Sequence, residues 1–500
     1  MMIMLWIFGL GVAVELILQC ISVGWRARKV LAVAAVLVNG FGAGAIALWR
    51  PNVFSILIAV FSLFRAFNNI RIAEARMHEH YLHRVTRRTA LTLIGLQAVF
   101  ALLWAVWYNW HTTGYLSWAL LAGAQLAVAV VLLISAIRRM QRTAWPAKRA
   151  HFSDAELPTL TVAIPARNET EDLQACLQNL VASDYPKLEI IVLDDCSQNR
   201  RTPEIIRGFA HDGVRFVPGE EPKETWLPKN QAYARLVAEA SGQYVLFCGV
   251  DVRFSETALS QVIAAMLDRK KRMMSILPER ALEVRNGASL AQAMRYFWEL
   301  VPPRRLFRRP PVISSCWVIE KAALTAAGGF EAATRSIVPE AHFARDLAKT
   351  DSYSFMRAGI NPGITSTKTA AEQRNTAIRT RYPQVHRRPE NVCMLSLLEL
   401  LFLAGPLALA VSGYWFNAGW AAIGLAALAA VLLTVTYEIV GRATKISNTA
   451  FGLIALPLMV VYDLGMLHYS MWQYEFSEVD WKGRNICVPA MHVIPHLPKI

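Results

Sequence analysis

Residues 160–194 read LTVAIPARNETEDLQACLQNLVASDYPKLEIIVLD, and this stretch decides the architecture of the middle of the chain. It opens on the apolar run Leu160–Pro165, passes through the helical stretch Thr170–Ser183, and closes on a second β-branched run, Leu188–Asp194. Short strands that alternate with helical stretches argue for βαβ units on a mainly parallel sheet. Val214–Val217 and Tyr244–Phe247 repeat the strand signal, and Asn230–Ser241 repeats the helical one. Residues 151–390 are therefore expected to form one α/β domain.

On either side of this domain the pattern changes to apolar runs of bilayer length. A bilayer core takes about 20 mainly apolar residues as helix, because unpaired backbone groups are too costly to leave in lipid. The runs fall at 4–24, 30–49, 52–64, 90–110 and 116–137, then at 393–415, 419–440 and 449–471. The third is short and suits a tilted or interfacial helix. The first lacks the basic flank of a secretory signal and is followed by further runs. The expected organisation is about five membrane helices in 1–140, the domain at 151–390, transmembrane or interfacial helices in 391–475, and a tail at 476–500.

Charge agrees. The chain carries a net +15 with 18% charged and 54% hydrophobic residues, and its mean hydropathy is +0.31. Soluble domains are nearer a quarter charged, so the excess of Lys and Arg reads as basic cytoplasmic loops rather than a nucleic-acid surface. Arg26, Arg28 and Lys29 follow the first run. Arg65, Arg71, Arg76, Arg84, Arg87 and Arg88 precede the fourth, and Arg138, Arg139, Arg142, Lys148 and Arg149 follow the fifth. The alternate connections, around Arg50 and Asn109–Tyr115, are nearly free of positive charge. This asymmetry puts residue 140 onward in the cytosol, most simply at the plasma membrane. The basic loop Pro302–Pro311 suits anionic headgroups, with phosphate binding as the alternative. Seven scattered cysteines without a CxxC pair support neither a disulfide framework nor a zinc site.

Ligands of open α/β sheets bind beyond the carboxyl ends of the strands. Polar residues gather at those ends here: Pro165-Ala166-Arg167-Asn168-Glu169 after the first strand, Asp194-Asp195-Cys196-Ser197 after the second, and Gly249-Val250-Asp251 after Tyr244–Phe247. Trp226-Leu227-Pro228-Lys229-Asn230 opens the intervening helix. Singly, Asp195 is as well explained as a helix cap, Lys229 as a surface lysine and Asp251 as a loop residue. The ordered set carries more than any member.

That order, P-A-R-N-E, D-D-x-S, W-x-x-K-N-x-A and an apolar strand into x-x-D, resembles family 2 glycosyltransferases of the GT-A fold over about 158–390. The resemblance implies a Rossmann-like α/β domain that binds a nucleotide-diphosphate sugar, UDP-linked by preference, together with Mn²⁺ or Mg²⁺. Carried over by residue, Pro165, Arg167 and Glu169 wall the nucleotide pocket, Asp195 reads the base, Lys229 meets the diphosphate and Asp251 holds the metal. A hard divalent ion takes oxygen ligands and neutralises charge on the departing diphosphate. The partners it implies are the donor, a membrane lipid or lipid-linked glycan as acceptor, and the bilayer, with no nucleic acid.

The chain also departs from the family pattern. The first aspartate of the metal motif is Gly249, and the acceptor-side Glu-Asp after Gly328-Gly329-Phe330 reads Glu340-Ala341. Inverting transfer needs a base for the acceptor hydroxyl; Glu340 is favoured, then His342, which is equally well explained as a packed histidine. An acceptor phosphate would need little base at all. The Q-x-x-R-W signature of processive synthases appears only as Arg379-Thr380-Arg381-Tyr382, with Arg381 left to pair with diphosphate. The tail Trp481-Lys482-Gly483-Arg484 resembles a W-x-G-R element that faces the cytosol in lipid-modifying relatives. If the tail does so here, one C-terminal segment, 393–404 with Glu399, lies in the interface. The expected function is sugar transfer with inversion at the membrane. The alternatives are a processive polysaccharide synthase and a catalytically weakened homologue serving as a scaffold. A transporter fits less well, since the polar residues concentrate between the apolar runs.

Overall fold

The computed structural model describes residues 2–20, 25–49, 51–74, 90–101, 103–104, 114–146, 152–223, 225–281, 290–302, 309–359, 362–444 and 452–486. Its central sheet has seven strands: β1 (Leu160–Ala166), β2 (Leu188–Asp194), β3 (Val214–Pro218), β4 (Tyr244–Cys248), β6 (Met273–Leu277), β8 (Cys316–Glu320) and β9 (Tyr353–Arg357). The order is β3-β2-β1-β4-β8-β6-β9. Strands β3, β2, β1 and β4 run parallel, β8 is antiparallel to both neighbours, and β9 is parallel to β6. The domain is thus built on a mainly parallel, mixed sheet. A second sheet of β5 (Val252–Phe254), β7 (Glu279–Arg280) and β10 (Ile364–Ser366) lies beside the carboxyl end of β4. Its strands are two or three residues long, too short for any periodic signal.

Alternation along the strands builds two cores. Val162, Ile164, Val192, Leu246 and Val318 face the helices Glu171–Val181 and Ala258–Asp268, contributing Leu173, Leu177, Val262 and Met266. Ala163, Ile191, Val245, Phe247 and Trp317 face the other way. On that side Phe247 stacks on Trp317 at 4.3 Å between ring centroids. The same apolar cluster runs on without a break to Ala129, Leu132, Leu403, Leu433 and Met459 of the flanking apolar helices. One face of the sheet is therefore fixed to the membrane helices by shared packing.

Among the described residues, five helical stretches are long and apolar enough to cross a membrane: Lys29–Leu48, Val53–Ile70, Ser117–Arg142, Pro389–Ser412 and Trp420–Ala443. Length and composition make them candidate membrane spans. The short third run becomes the full helix Val53–Glu74. Its second half was hidden in the sequence by Arg65, Asn68 and Asn69, all buried. Arg65 forms a 2.6 Å ion pair with the buried Glu15 and donates to Gln97 at 2.5 Å, so the buried guanidinium finds its partners on neighbouring helices. The segment 393–404 is not a helix by itself. It continues through a π-turn at Leu400–Ala404 into Gly405–Ser412, an apolar stretch of candidate span length. Of the residues used for orientation, Arg50, Arg76, Arg84, Arg87, Arg88, Lys148, Arg149 and most of Asn109–Tyr115 lie outside the described residues, as do Arg304, Arg305 and Arg308. Arg309 pairs with Glu299 at 2.6 Å.

Arg357, at the end of β9, pins the domain to two helix ends. Its guanidinium donates to the Met140 carbonyl at 2.9 Å, the Thr143 hydroxyl at 3.0 Å and the Ala443 carbonyl at 2.7 Å. A cation there also complements the negative ends of both helices. Arg357→Ala strands these acceptors and is expected to cost about 2–4 kcal/mol. Faster thermal inactivation of the purified protein, with an unchanged fold by circular dichroism, checks this.

Candidate active site

The carboxyl ends of β1 and β4, the helix Pro228–Glu239 and the helix Ala370–Gln384 enclose a cavity of about 240 Å³. Pro165, Glu169, Lys229 and Asp251 line it, together with three cations that the sequence motifs did not single out, Arg295, Lys368 and Arg379.

Asp251 follows β4. Its Oδ2 accepts from the Ser366 hydroxyl at 2.9 Å and its carbonyl from the Thr367 amide at 2.9 Å. A Cβ on Gly249 would stand 2.5 Å from Asp251 Oδ1. The missing first aspartate thus leaves the space in which the remaining carboxylate lies. Lys229 sits at the start of its helix, directly after Pro228. Its ammonium is 5.1 Å from the centre of the Tyr233 ring. Burial pushes its pKa down, while Glu340 and Asp251 pull it back up. Lys368 is lowered to about 8, chiefly by burial, with Asp251 opposing. Asn230 ties this helix to the loop before Glu340, donating to the carbonyls of Ala333 at 2.8 Å, Thr334 at 3.1 Å and Ser336 at 2.8 Å.

Glu340 begins the helix Glu340–Lys349 and is fully buried. The Ser314 hydroxyl, which lines the cavity, donates to its Oε1, while Oε2 has no hydrogen-bond partner among the described residues. Ala341 is in the apolar core, where an aspartate would be a buried charge. His342 is half-buried, lies edge-on to Phe343 at 5.5 Å and is not part of the cavity lining.

Arg167 and Arg381 are placed differently from expectation. Arg167 is buried and donates to the carbonyls of Asp195 and Cys196, each at 2.6 Å, so it clamps the loops after β1 and β2 together. Arg381 points away from the cavity and pairs with Asp463 of the helix Gly452–Phe476. Arg379 lines the cavity instead. Two residues span about 200° of helix, so only one of this pair can face the site. The helical period was the available signal for Arg379. Arg295 and Lys368 belong to no motif.

Asp195 is 3% exposed. Burial pushes its carboxyl up, opposed by Arg484 and Arg167. Arg484 comes from the tail, which packs on the α/β domain: it reaches Asp195 Oδ2 at 2.8 Å and Glu221 at 2.9 Å, and Lys482 forms an ion pair with Glu169.

Among the described residues no group of three or more His, Cys, Asp and Glu side chains could hold a metal by itself. One carboxylate facing a cationic cavity nevertheless fits a divalent ion that takes most of its ligands from a diphosphate and water.

Residues 161–325 match the family Glycosyl transferase family 2. Glycosyltransferase AglE of Haloferax volcanii is 29% identical over 120 residues, 22% of this chain and 38% of that one. Probable glycosyltransferase YdaM of Bacillus subtilis is 30% identical over 120 residues, 23% of this chain and 28% of that one. The chain thus spans less than half the length of these relatives. Among solved structures, mannosyltransferase PcManGT from Pyrobaculum calidifontis, in complex with GDP-Man and Mn²⁺, is 16% identical with a TM-score of 0.44, over 71% of this chain and 99% of that one. Glucosyl-3-phosphoglycerate synthase from Mycobacterium tuberculosis, in complex with Mn²⁺, UDP and glucosyl-3-phosphoglycerate, is 17% identical with a TM-score of 0.32, over 48% and 87%.

Proposed function

We propose that this chain, which carries a glycosyl transferase family 2 domain at residues 161–325, moves a sugar with inversion from a nucleotide-diphosphate donor, UDP-linked by preference, to a lipid or glycan acceptor at the membrane. The observation that carries this reading is the cavity itself. Lys229, Arg295, Lys368 and Arg379 line it with Asp251 at the strand ends, beside apolar helices that share the sheet's core. This cluster of cations suits a diphosphate. The domain is assigned to the cytosolic side, where nucleotide sugars and the basic loops belong.

Asp251 is assigned to Mn²⁺ or Mg²⁺ brought with the donor, and that ion supplies charge neutralisation at the diphosphate. Lys229 holds the diphosphate, while Pro165, Glu169 and Asp195 belong to the nucleoside end. As the acceptor oxygen bonds to the anomeric carbon, the bond from that carbon to the phosphate oxygen breaks. The diphosphate keeps the electron pair, and the acceptor proton passes to Glu340, the assigned base, by way of the Ser314 hydroxyl. His342 is the second candidate base.

Lys229→Ala is expected to weaken donor binding about 10- to 100-fold, the loss of one charged contact to phosphate, measured by calorimetry. The function is tested by incubating the full-length purified chain with native lipid extract, Mn²⁺ and labelled UDP- or GDP-sugars. One product of defined mass supports single transfer. A long polymer indicates a processive synthase, and donor binding without any product indicates a scaffold; either result overturns the proposal.

A further inference from the structure

The cations that line the cavity come from two directions. Lys229 opens its helix at the strand ends, and Lys368 follows strand β10, whose Ser366 donates to Asp251. Burial lowers the pKa of both lysines, and the Asp251 charge is among the groups that oppose it. Arg295 arrives from the membrane side. It lies on the helix Leu290–Leu300, whose Met294, Phe297 and Leu300 share an apolar cluster with Leu433 and Met459 of the flanking helices. Arg379 lies on Ala370–Gln384, which is tied to the helix Gly452–Phe476 where the Tyr474 hydroxyl donates to the Arg379 carbonyl at 2.8 Å.

Burial lowers the Arg379 pKa and Arg295 lowers it further, against Tyr474 and Asp480. The Arg379 guanidinium donates within its own helix, to the Asn375 carbonyl at 3.3 Å and the Thr376 hydroxyl at 3.2 Å. Neither arginine has an ion pair among the described residues. Two half-buried like charges facing one cavity are unfavourable until an anion joins them. The donor supplies little of that anion. A nucleotide-diphosphate sugar carries one negative charge on each phosphate, and a divalent ion offsets these before Lys229 and Lys368 add theirs. From Arg295, Lys368 and Thr380 a narrow extension of about 20 Å³ continues to Gln373 and Arg381, roughly the room of one oxygen. The buried Gln373 Oε1 and Arg381 Nε have no hydrogen-bond partner among the described residues, and a hydroxyl there can donate to the first and accept from the second.

We propose that Arg295 and Arg379 form an anion subsite for the acceptor, which bears a phosphate group beside the hydroxyl that receives the sugar. This rests on the transfer reaction proposed above and narrows its acceptor to phosphate-bearing molecules. A guanidinium fork matches two phosphate oxygens at once, which an ammonium does not, so the arginines suit a group that must be oriented as well as neutralised. The acceptor phosphate takes no part in bond making. The anomeric carbon leaves the donor phosphate oxygen with its electron pair and bonds to the acceptor hydroxyl oxygen, whose proton goes to Glu340. The acceptor phosphate keeps its bonds and its charge throughout. The seat of Arg295 on a helix packed against the apolar helices suits a lipid headgroup phosphate, and a soluble phosphate ester carries the same chemistry.

The test offers the full-length protein in detergent, with Mn²⁺ and labelled UDP- or GDP-sugars, separate fractions of a native extract: neutral lipids, anionic lipids and water-soluble phosphate esters. Label in the anionic lipids supports the subsite with a lipid acceptor, and label in the soluble esters supports it with a soluble one. Label confined to neutral lipids overturns it. Arg295→Ala and Arg379→Ala break no ion pair among the described residues. Each should raise the KM for the labelled acceptor about 10- to 100-fold, the loss of one charged contact to phosphate. Nucleotide affinity by calorimetry should stay within about twofold of wild type. A loss of nucleotide affinity as large as that of Lys229→Ala gives the arginines to the donor and overturns the subsite while leaving the transfer reaction intact. Nucleotide binding with no label in any fraction overturns the transfer reaction, and the subsite with it.

Discussion

Asp251→Ala should lower sugar transfer at least about 10³-fold, because it removes the one carboxylate through which this chain is proposed to hold a divalent ion against the donor diphosphate. With Gly249 in place of the other aspartate of the motif, Asp251 is the one carboxylate the motif keeps. The Ser366 and Thr367 contacts hold the 251 loop, and Thr367 contacts only its backbone, so a loss of activity would not reflect a collapsed domain. Asp251→Asn keeps the Ser366 bond and removes the charge. It should be nearly as inactive, which separates metal charge from loop geometry. Transfer rates at saturating Mn²⁺, with circular dichroism as the fold control, decide the matter, and wild-type rates in either variant would refute the metal assignment.

The second large effect concerns Glu340. Glu340→Gln keeps the shape and can still accept from Ser314, yet it cannot take a proton. Transfer to a hydroxyl acceptor should fall about 10²- to 10⁴-fold with donor affinity unchanged. His342→Ala should leave transfer near the wild-type rate, since the ring lies outside the cavity lining. The reverse pattern would move the base to His342. Full activity in both variants would mean that the acceptor arrives already ionised, as a phosphate does.

Much of the domain was legible because its signals are local. Strands β1, β2, β3 and β4 are apolar runs with polar ends, and the structure places them within a residue of the positions the pattern gave. Lys229 and Asp251 could be singled out because each sits at a fixed offset from such an element. Strand β8 was not legible. Its antiparallel insertion between β4 and β6 depends on long-range pairing, not on its own five residues. Nor was the length of Val53–Glu74, because Arg65 looks like a helix end until Glu15, fifty residues earlier, is seen to pair with it. Arg295 and Lys368 reach the cavity from segments far apart in sequence, and nothing in either segment points there. The aromatic Tyr382 beside Arg381 draws the motif reading to that arginine. The buried Asp463, which claims Arg381, lies 82 residues away.

The most direct test of a nucleotide-sugar site is the thermal unfolding of the detergent-purified protein with UDP, GDP or CMP, with and without Mn²⁺, beside Asp251→Ala. A ligand at 100 times its dissociation constant stabilises a one-site protein by about 2.7 kcal/mol. One nucleotide, UDP or GDP, should raise the unfolding temperature only when both Mn²⁺ and Asp251 are present. A folded wild-type sample whose unfolding temperature no nucleotide moves would contradict the donor site.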